Sequence, residues 1–254
     1  MNPYLSVVIP AFNEERRITK TLEIIYAYLG RQSFASEIVI VLDGPRDNTL
    51  AVVQKFAEGK ATIRVIDRKV NKGKGYTVRE GMLAAKGEIR LFADADNSTD
   101  ISHFDAMIPL FKKEYGVVIC SRDSKDAQGA QQSVSQPFLK RLAGNMGNLF
   151  IQVVAVPGIW DTQCGFKAFR ADAAEEIFAV AEIDKWGFDI EALALARSFG
   201  YKIGIIPAHW IDDAASHVTL GGYVNVLFET MRVRWNFIKG VYRKRHDKKT
   251  TTTA

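Results

Sequence analysis

Two aspartates one residue apart, Asp94 and Asp96, follow an apolar run that ends at Ala93. Alternate residues of an extended segment point to the same side, so both carboxylates could bind one divalent cation. Mg²⁺ and Mn²⁺ take such oxygen ligands and commonly bridge carboxylates to substrate phosphates. A polar turn after a strand also often contains Asp, so this pair alone does not decide between a metal site and a turn.

Three further polar segments could serve the same chemistry. The first runs from Pro10 to Glu14, the second starts at Asp43 before a Gly-Pro pair, and the third places Lys72 and Lys74 between glycines. The Asp43 carboxylate could accept hydrogen bonds from a nucleobase edge, and lysines in a glycine-rich loop could offset phosphate charge. A simple turn, a solvated loop and a helix-dipole role for the glutamate remain open as alternatives.

Short β-branched runs alternate with stretches of helical periodicity. The runs are Leu5–Pro10, Glu37–Leu42, Thr62–Ile66, Glu88–Ala93, Gly116–Cys120 and Tyr201–Ile206. Their alternation with helices predicts right-handed βαβ units and a mostly parallel sheet, with Asn13 as the N-cap of the first helix. Because ligands bind outside the carboxyl ends of such strands, the polar segments should meet at one edge of the sheet. This convergence favours the metal interpretation of Asp94 and Asp96.

The second half of the chain offers fewer candidates. Residues 123–136 are polar without periodicity, which predicts a loop over the same edge. Asp161 belongs to a compact polar segment among aromatics and is either part of a buried turn or a functional carboxylate. Asp189 precedes a helical pattern and could be its N-cap. Arg122 and Arg141 would suit a second phosphate if they lay near a carboxylate-bound metal.

The composition favours one large α/β domain with an appendage, since 254 residues, 47% of them hydrophobic, can bury a substantial core. The two cysteines, Cys120 and Cys164, fit neither a disulfide framework nor a zinc site, which indicates a reducing, cytoplasmic compartment. We expect no signal peptide and no spanning helix, because no basic leader and no window of about 18 apolar residues is present.

Positive charge is concentrated at the C-terminal end. Arg232 to Ala254 hold eight basic residues and one acidic residue, whereas the preceding residues carry a net charge of −2. The body of the chain is therefore not a general nucleic-acid binder. From Val224 to Tyr242, apolar residues recur every three or four positions, which predicts a basic amphipathic helix. This helix could pack on the body, pair with another copy or lie on an anionic membrane.

These segments together resemble a known family. The motifs Val8–Glu15, Asp43–Gly44, Asn71–Gly75 and Asp94–Asp96 are similar to those of the family 2 glycosyltransferases of GT-A fold. Within that family, Asp161–Lys167, Trp186–Glu191 and His209–Trp210 look like segments of the dolichyl-phosphate β-glucosyltransferases, with the dolichyl-phosphate mannose synthases as nearest relatives. The resemblance runs from about Leu5 to Tyr242, and the D-T-Q-C-G-F-K run is its most specific part.

The resemblance implies a Rossmann-like GT-A fold, in which helices flank a mostly parallel central sheet, and the periodicity of the last segment adds an amphipathic helix at the C-terminus. Residues 1–221 would form the catalytic domain. Residues 222–249 would form the basic helix at a membrane surface or an oligomer contact, and residues 250–254 a disordered tail.

The resemblance also assigns roles to residues. A nucleotide-sugar donor would be bound by Pro10, Ala11, Phe12, Glu14, Val41, Asp43, Lys74, Asp94, Ala95, Asp96 and Arg122. Asp94 and Asp96 would hold Mg²⁺ or Mn²⁺, with Ser98 at the place of a third ligand, where mannose synthases have Gln. Arg122 would contact phosphate and Arg141 would face the acceptor. The implied catalytic set is Asp96, Asp161, Arg122 and Arg141.

The implied activity is inverting transfer of a hexose, with glucose from UDP-glucose favoured, to a polyprenyl phosphate of the dolichyl type. An acceptor phosphate is already ionised near pH 7 and needs little help from a general base. Asp161 would have a positioning or basic role, and most of the catalysis would come from alignment and electrostatics. The alternatives are a GDP-mannose-dependent mannosyltransferase, transfer to a saccharide hydroxyl with Asp161 or Asp189 as base, and a silent nucleotide-sugar or membrane-binding module. We expect a peripheral protein at the cytoplasmic face of a membrane, attached through Val224 to Lys249, with homo-oligomerisation as a further option.

Overall fold

The computed structural model describes residues 2–132, 138–210 and 220–246, and only the backbone of residues 131–132, 138–143, 145, 220–221 and 223. Nine strands and eight helices are assigned within these ranges. The strands are β1 (Leu5–Ala11), β2 (Ser36–Asp43), β3 (Ile63–Arg68), β4 (Ile89–Ala93), β5 (Val117–Ser121), β6 (Gln131–Gln132), β7 (Phe166–Arg170), β8 (Ile203–Pro207) and β9 (His209–Trp210). The helices are α1 (Ile18–Leu29), α2 (Thr49–Ala57), α3 (Lys74–Ala84), α4 (His103–Phe111), α5 (Phe138–Val154), α6 (Ala171–Val180), α7 (Phe188–Ser198) and α8 (Leu220–Ile238).

A seven-stranded sheet organises the molecule, in the order β3-β2-β1-β4-β7-β5-β8. Helices cover both of its faces, so every residue of β1 is buried. Val8 on β1 packs into the core cluster that includes α3, α6 and α7, whereas Val7 and Ile9 pack on the opposite side with α1, α2 and α4. The alternation of side chains along a strand thus supplies two hydrophobic layers, one to each face of the sheet.

The prediction of a mostly parallel α/β sheet is confirmed. β1, β2, β3 and β4 are mutually parallel, and β5 is parallel to β8. The exception is β7, which runs antiparallel between β4 and β5. The sequence interpretation treated Asp161–Phe169 as a compact segment that could be a buried turn and missed this strand, because Lys167 interrupts the apolar residues of the F-K-A-F-R run.

The prediction of Asn13 as an N-cap is wrong. Helix α1 begins at Ile18, and Asn13 has a left-handed backbone, with φ 56°. Its side-chain oxygen accepts a hydrogen bond from the backbone N–H of Arg46 at 2.8 Å. Asn13 therefore ties the loop after β1 to the loop after β2 instead of starting a helix, and both loops belong to the edge where the polar segments meet.

The C-terminal helix packs on the body. Val226 and Val233 of α8 are buried, and the helix contacts α5 and α7. The continuous helix predicted from Val224 to Tyr242 is wrong at Gly240, where φ is 65°, and residues 241–246 resume the helical conformation. Among the described helices none is both long enough and apolar enough to cross a bilayer. The predicted disordered tail, 250–254, lies outside the described residues.

Candidate active site

The carboxyl ends of β1, β2, β3 and β4 lie at one edge of the sheet, and the predicted polar segments meet there. Glu14 follows β1, and its carboxylate pairs with Arg17 at 2.8 Å. Burial raises the pKa of Glu14, Arg17 opposes the rise, and neighbouring Asp96 and Asp94 add to it. The loop after β1 and the two aspartates after β4 are thus close enough for their charges to interact.

Asp43, at the end of β2, shapes the loop that carries the lysines. Its Oδ1 accepts hydrogen bonds from the backbone N–H of Lys72 at 2.7 Å and from the Arg68 guanidinium at 2.6 Å. Its Oδ2 accepts the backbone N–H of Gly73 at 2.9 Å, and Gly73 has a φ of 99° that favours glycine. The carboxylate is thus engaged in folding the loop that leads to Lys74, and the predicted nucleobase contact of Asp43 stays a prediction.

Asp94 is held by a segment that lies far from it in the chain. Its backbone N–H donates to the carbonyl oxygen of Gly165 at 3.1 Å. A Cβ at position 165 would lie only 1.9 Å from Asp94 Oδ2, so only glycine fits there. Asp94 Oδ1 is inaccessible to solvent, and Lys74 Nζ lies 2.6 Å from it. Lys74 apart, Oδ1 meets no hydrogen-bond donor among the described residues.

The two aspartates fit a divalent cation. Asp94 offers a solvent-inaccessible oxygen that lies against the Lys74 ammonium, and Asp96 Oδ1 accepts the backbone N–H of Ser98 at 2.9 Å. No group of three or more His, Cys, Asp or Glu side chains suited to a metal occurs in the part of the chain that the structure describes. Protein ligands would therefore be few, which is how Mg²⁺ is usually bound beside substrate phosphates. The role of Ser98 as a ligand stays a prediction.

Lys74, the first residue of α3, lies among three carboxylates. Burial lowers the pKa of Lys74, but Asp94, Asp189 and Asp96 outweigh that cost and raise the pKa above its ordinary value. The ring of Trp186 lies 5.6 Å from the ammonium nitrogen, which allows a cation–π contact. The site thus concentrates negative charge around one protonated lysine.

Arg122 and Asp161 form a bidentate ion pair beside this cluster. Arg122 Nε and Nη2 donate to the two oxygens of Asp161 at 2.7 and 2.8 Å, and the Arg122 backbone N–H adds a third bond at 2.8 Å. Burial would raise the pKa of Asp161, but Arg122 dominates and lowers it to about 2. A carboxylate with so low a pKa is a poor general base near neutral pH, and the positioning role of Asp161 stays a prediction. The guanidinium also lies 5.3 Å from the Trp210 ring.

A second buried ion pair was missed by the sequence interpretation. Lys167 of β7 reaches through the core, where its Nζ lies 2.6 Å from Asp189 Oδ1 and 2.5 Å from the carbonyl oxygen of Cys164. Asp189 is therefore not the predicted N-cap, a position that Gly187 takes in α7. Burial raises the pKa of Asp189 although Lys167 and Lys74 oppose the rise. A lysine in an apolar strand was the signal that could have revealed the pair.

The segment predicted as a loop over the edge, 123–136, is described as far as residue 132. Asp126 accepts the backbone N–H groups of Trp160 and Asp161, each at 2.8 Å, and the Ser121 hydroxyl at 2.7 Å. Strand β6 then pairs with β9. Asp126 thus fixes the backbone that carries Asp161. Residues 133–137 lie outside the described part.

The remaining predicted donor residues have diverse surroundings. Pro10 and Ala11 end β1, Phe12 is exposed, and Ala95 accepts a hydrogen bond from a threonine hydroxyl. Val41 is fully buried, so its side chain offers no exposed surface for the predicted contact with the nucleoside. Arg141 lies on α5, but the role predicted for its side chain falls outside what the structure describes.

Comparison with known proteins gives a consistent result. Residues 6–178 match the model of the glycosyl transferase family 2. A dolichyl-phosphate β-glucosyltransferase of Dictyostelium discoideum is 31% identical, and the alignment covers 95% of this chain and 77% of the relative. One of Trichomonas vaginalis is 34% identical, covering 91% and 72%, and that of Homo sapiens is 28% identical, covering 96% and 79%.

The fold also matches solved structures. Glucosyl-3-phosphoglycerate synthase from Mycobacterium tuberculosis, in complex with UDP, aligns with a TM-score of 0.67 at 16% identity, covering 91% of this chain and 80% of that one. The same enzyme in complex with Mn²⁺, UDP and glucosyl-3-phosphoglycerate aligns with a TM-score of 0.66 at 18% identity, with the same coverage. The resemblance inferred from the motifs is confirmed: this chain belongs to glycosyltransferase family 2.

Proposed function

We propose that this protein transfers glucose from UDP-glucose to the phosphate of a dolichyl-type polyprenol. The observation that carries the proposal is the likeness over more than nine-tenths of the chain to dolichyl-phosphate β-glucosyltransferases. The edge built from Glu14, Lys74, Asp94 and Asp96 supports it, because it offers carboxylates for a divalent cation and an ammonium group for phosphate.

The reaction needs little proton chemistry from the protein. An oxygen of the acceptor phosphate forms the new bond to the anomeric carbon of glucose as the bond from that carbon to the diphosphate breaks. A divalent cation held by Asp94 and Asp96 would stabilise the negative charge on the departing UDP. Lys74 lies close enough to the same carboxylates to add a second positive charge. Asp161 fixes the Arg122 guanidinium, which can then meet a phosphate in one orientation.

The ion pairs of the two candidate bases, Asp161 and Asp189, favour a phosphate acceptor over a saccharide hydroxyl. A hydroxyl must lose its proton during attack, whereas a phosphate oxygen is already negative near pH 7. Asp161 is held by Arg122 and Asp189 by Lys167, so each is engaged with a cation. Neither is free in the way that a general base needs to be.

The full-length protein with radiolabelled UDP-glucose, Mn²⁺ or Mg²⁺ and detergent-dispersed dolichyl phosphate provides the test. We expect label to pass into the organic phase only when dolichyl phosphate is present, and GDP-mannose to be a poor donor. Efficient mannose transfer would overturn the choice of donor. Label found only on an added saccharide would overturn the choice of acceptor.

We also propose that α8 rests on the membrane that holds the acceptor. Its outward side carries an exposed apolar row, formed by Val224, Phe228, Met231, Trp235 and Ile238. Helix α5, which contacts α8, adds exposed Met146, Leu149 and Val153. Arg232 and Arg234 are exposed on α8 itself, and Lys239 is exposed directly after its last residue. An apolar row bordered by cations suits the headgroup region of an anionic bilayer.

A charge placed in this row should weaken vesicle binding. Phe228, 66% exposed, can be changed to Glu without disturbing the core, whereas deletion of α8 would remove the buried Val226 and Val233 and expose the part of the body on which they pack. We expect Phe228→Glu to lower cosedimentation with phosphatidylserine vesicles at least about tenfold. The matched control is Asn225→Glu, which adds the same charge at an exposed position outside the row. If Phe228→Glu instead converts a dimer into a monomer and vesicle binding is unchanged, the row is an interface between two copies.

A further inference from the structure

We propose that Lys74 occupies the place of the divalent cation on Asp94 until the donor binds, so that metal and nucleotide bind cooperatively. The inference rests on the proposed function, because it assumes a metal and a diphosphate at this edge of the sheet. It adds a task for one residue: Lys74 would act as an internal counterion that the metal must displace.

The first support is the position of the ammonium group. Lys74 Nζ lies 2.6 Å from Asp94 Oδ1, an oxygen that solvent does not reach and that has no other hydrogen-bond donor among the described residues. Gly165 packs against the other carboxylate oxygen, since a Cβ at position 165 would lie 1.9 Å from Asp94 Oδ2, so Asp94 has little room on that side to move away from the ammonium. A metal ion that used Oδ1 would therefore need the position in which Lys74 now stands.

The second support is the charge around Lys74. Asp94, Asp96 and Asp189 all act on the same ammonium, and Asp94 and Asp96 are the carboxylates that suit a divalent cation. In their empty state, these carboxylates would repel one another without a positive charge among them. Lys74 supplies that charge, and the loop organised by Asp43 delivers it at the first residue of α3.

The third support is that the Lys74 side chain has room to move away from Asp94. Its side chain keeps 23% of its surface exposed, and the Trp186 ring centroid lies 5.6 Å from its ammonium nitrogen. A diphosphate bound at the edge would offer the ammonium a new anionic partner. Without the diphosphate, metal binding would leave two cations side by side over one carboxylate. The donor therefore removes a cost of metal binding, and by linkage the metal favours donor binding equally.

Binding of Mn²⁺ to the full-length protein, followed by the electron paramagnetic resonance signal of free Mn²⁺, measures this competition directly. The wild type should bind Mn²⁺ weakly alone and at least about tenfold more tightly with saturating UDP. In Lys74→Met the ammonium is gone, so Mn²⁺ should bind at least about tenfold more tightly without UDP. UDP should strengthen Mn²⁺ binding by a smaller factor than in the wild type, because the diphosphate still supplies oxygen ligands but no longer draws an ammonium group away from Asp94.

Two further variants control for charge and folding. Lys74→Arg keeps a cation at the position and should retain weak Mn²⁺ binding without UDP. Lys185→Met removes one exposed positive charge from the loop beside Trp186 and should bind Mn²⁺ as the wild type does. Thermal melting curves verify that each variant is folded at the temperature of the titration.

The inference is overturned if Lys74→Met binds Mn²⁺ alone no more tightly than the wild type, or if UDP strengthens Mn²⁺ binding equally in both. These outcomes leave the proposed function intact as long as the wild type transfers glucose to dolichyl phosphate. Failure of that transfer together with tight Mn²⁺ binding by Lys74→Met would overturn the acceptor assignment and support the role of Lys74. Absence of Mn²⁺ binding by every variant, even with UDP, would overturn both the metal site and the inference.

Discussion

Replacement of Asp94 by Asn should lower glucosyl transfer by about 10²–10³-fold, the range found when a group that stabilises developing charge is removed. The substitution takes away a negative charge that a divalent cation and Lys74 would both use. It also leaves Lys74 without its closest partner, since Asp94 Oδ1 lies 2.6 Å from the ammonium. The measurement is kcat for transfer from UDP-glucose to dolichyl phosphate at saturating Mn²⁺.

The companion variant Asp96→Asn should have a smaller effect on kcat and a larger effect on the Mn²⁺ concentration that gives half-maximal rate. One oxygen of Asp96 already accepts the backbone N–H of Ser98, and an amide oxygen can keep that bond. Asp67→Asn is the matched control, because Asp67 is an exposed aspartate at the end of β3, paired with Lys69. If Asp94→Asn kept more than about a tenth of the wild-type kcat, Asp94 would have no central part in the transfer.

Local signals sufficed to predict most of the sheet edge. Each of the first four strands is a short apolar run that ends in polar residues, and parallel pairing brings such ends together. Asp94 and Lys74 could therefore be expected close to each other from their places in the alternation alone. The hydrogen-bond partners of individual side chains could not be predicted, because they depend on how each loop folds. Asp43 accepts the backbone N–H groups of Lys72 and Gly73 only once that loop has folded back towards β2.

The part of the site that sequence reasoning missed comes from β7. This strand carries Lys167, whose partner Asp189 lies on α7, and neither residue reveals the other by spacing along the chain. The contact between Gly165 and Asp94 is equally distant in sequence. A motif match can mark such a segment, but only the tertiary structure shows that Gly165 lies against the Asp94 carboxylate.

The C-terminal helix shows the limit of periodicity. The row from Val224 to Ile238 was visible because its members recur every three or four residues, and this row turned out to be the exposed one. The buried row, which includes Val226 and Val233, has the same period and is shorter. Periodicity identifies apolar rows but does not say which of two rows meets the core, since that depends on what the body offers.

Replacement of Lys167 by Met should lower the free energy of unfolding by about 3–5 kcal/mol, the cost of leaving one partner of a buried ion pair without the other. The Lys167 side chain is fully buried, and that of Asp189 is 6% exposed. The Lys74 ammonium also acts on Asp189, so part of the charge stays balanced, and we expect the lower end of this range. Urea denaturation followed by far-ultraviolet circular dichroism measures the change.

Two controls separate the cost of leaving Asp189 charged and unpaired in the core from the cost of losing the other contacts of Lys167. Arg170→Met, on the same strand, breaks a largely exposed pair with Asp172 and should cost less than about 1 kcal/mol. The double variant Lys167→Met/Asp189→Leu removes both charges and fills the space with apolar groups, so it should regain most of the loss. Equal instability of the double and single variants would mean that Lys167 stabilises the fold through its bond to the Cys164 carbonyl and not through Asp189. In that case, the hydrogen bond to the Cys164 carbonyl would be the contact through which Lys167 stabilises β7. The negative charge of Asp189 would then act mainly on the Lys74 ammonium.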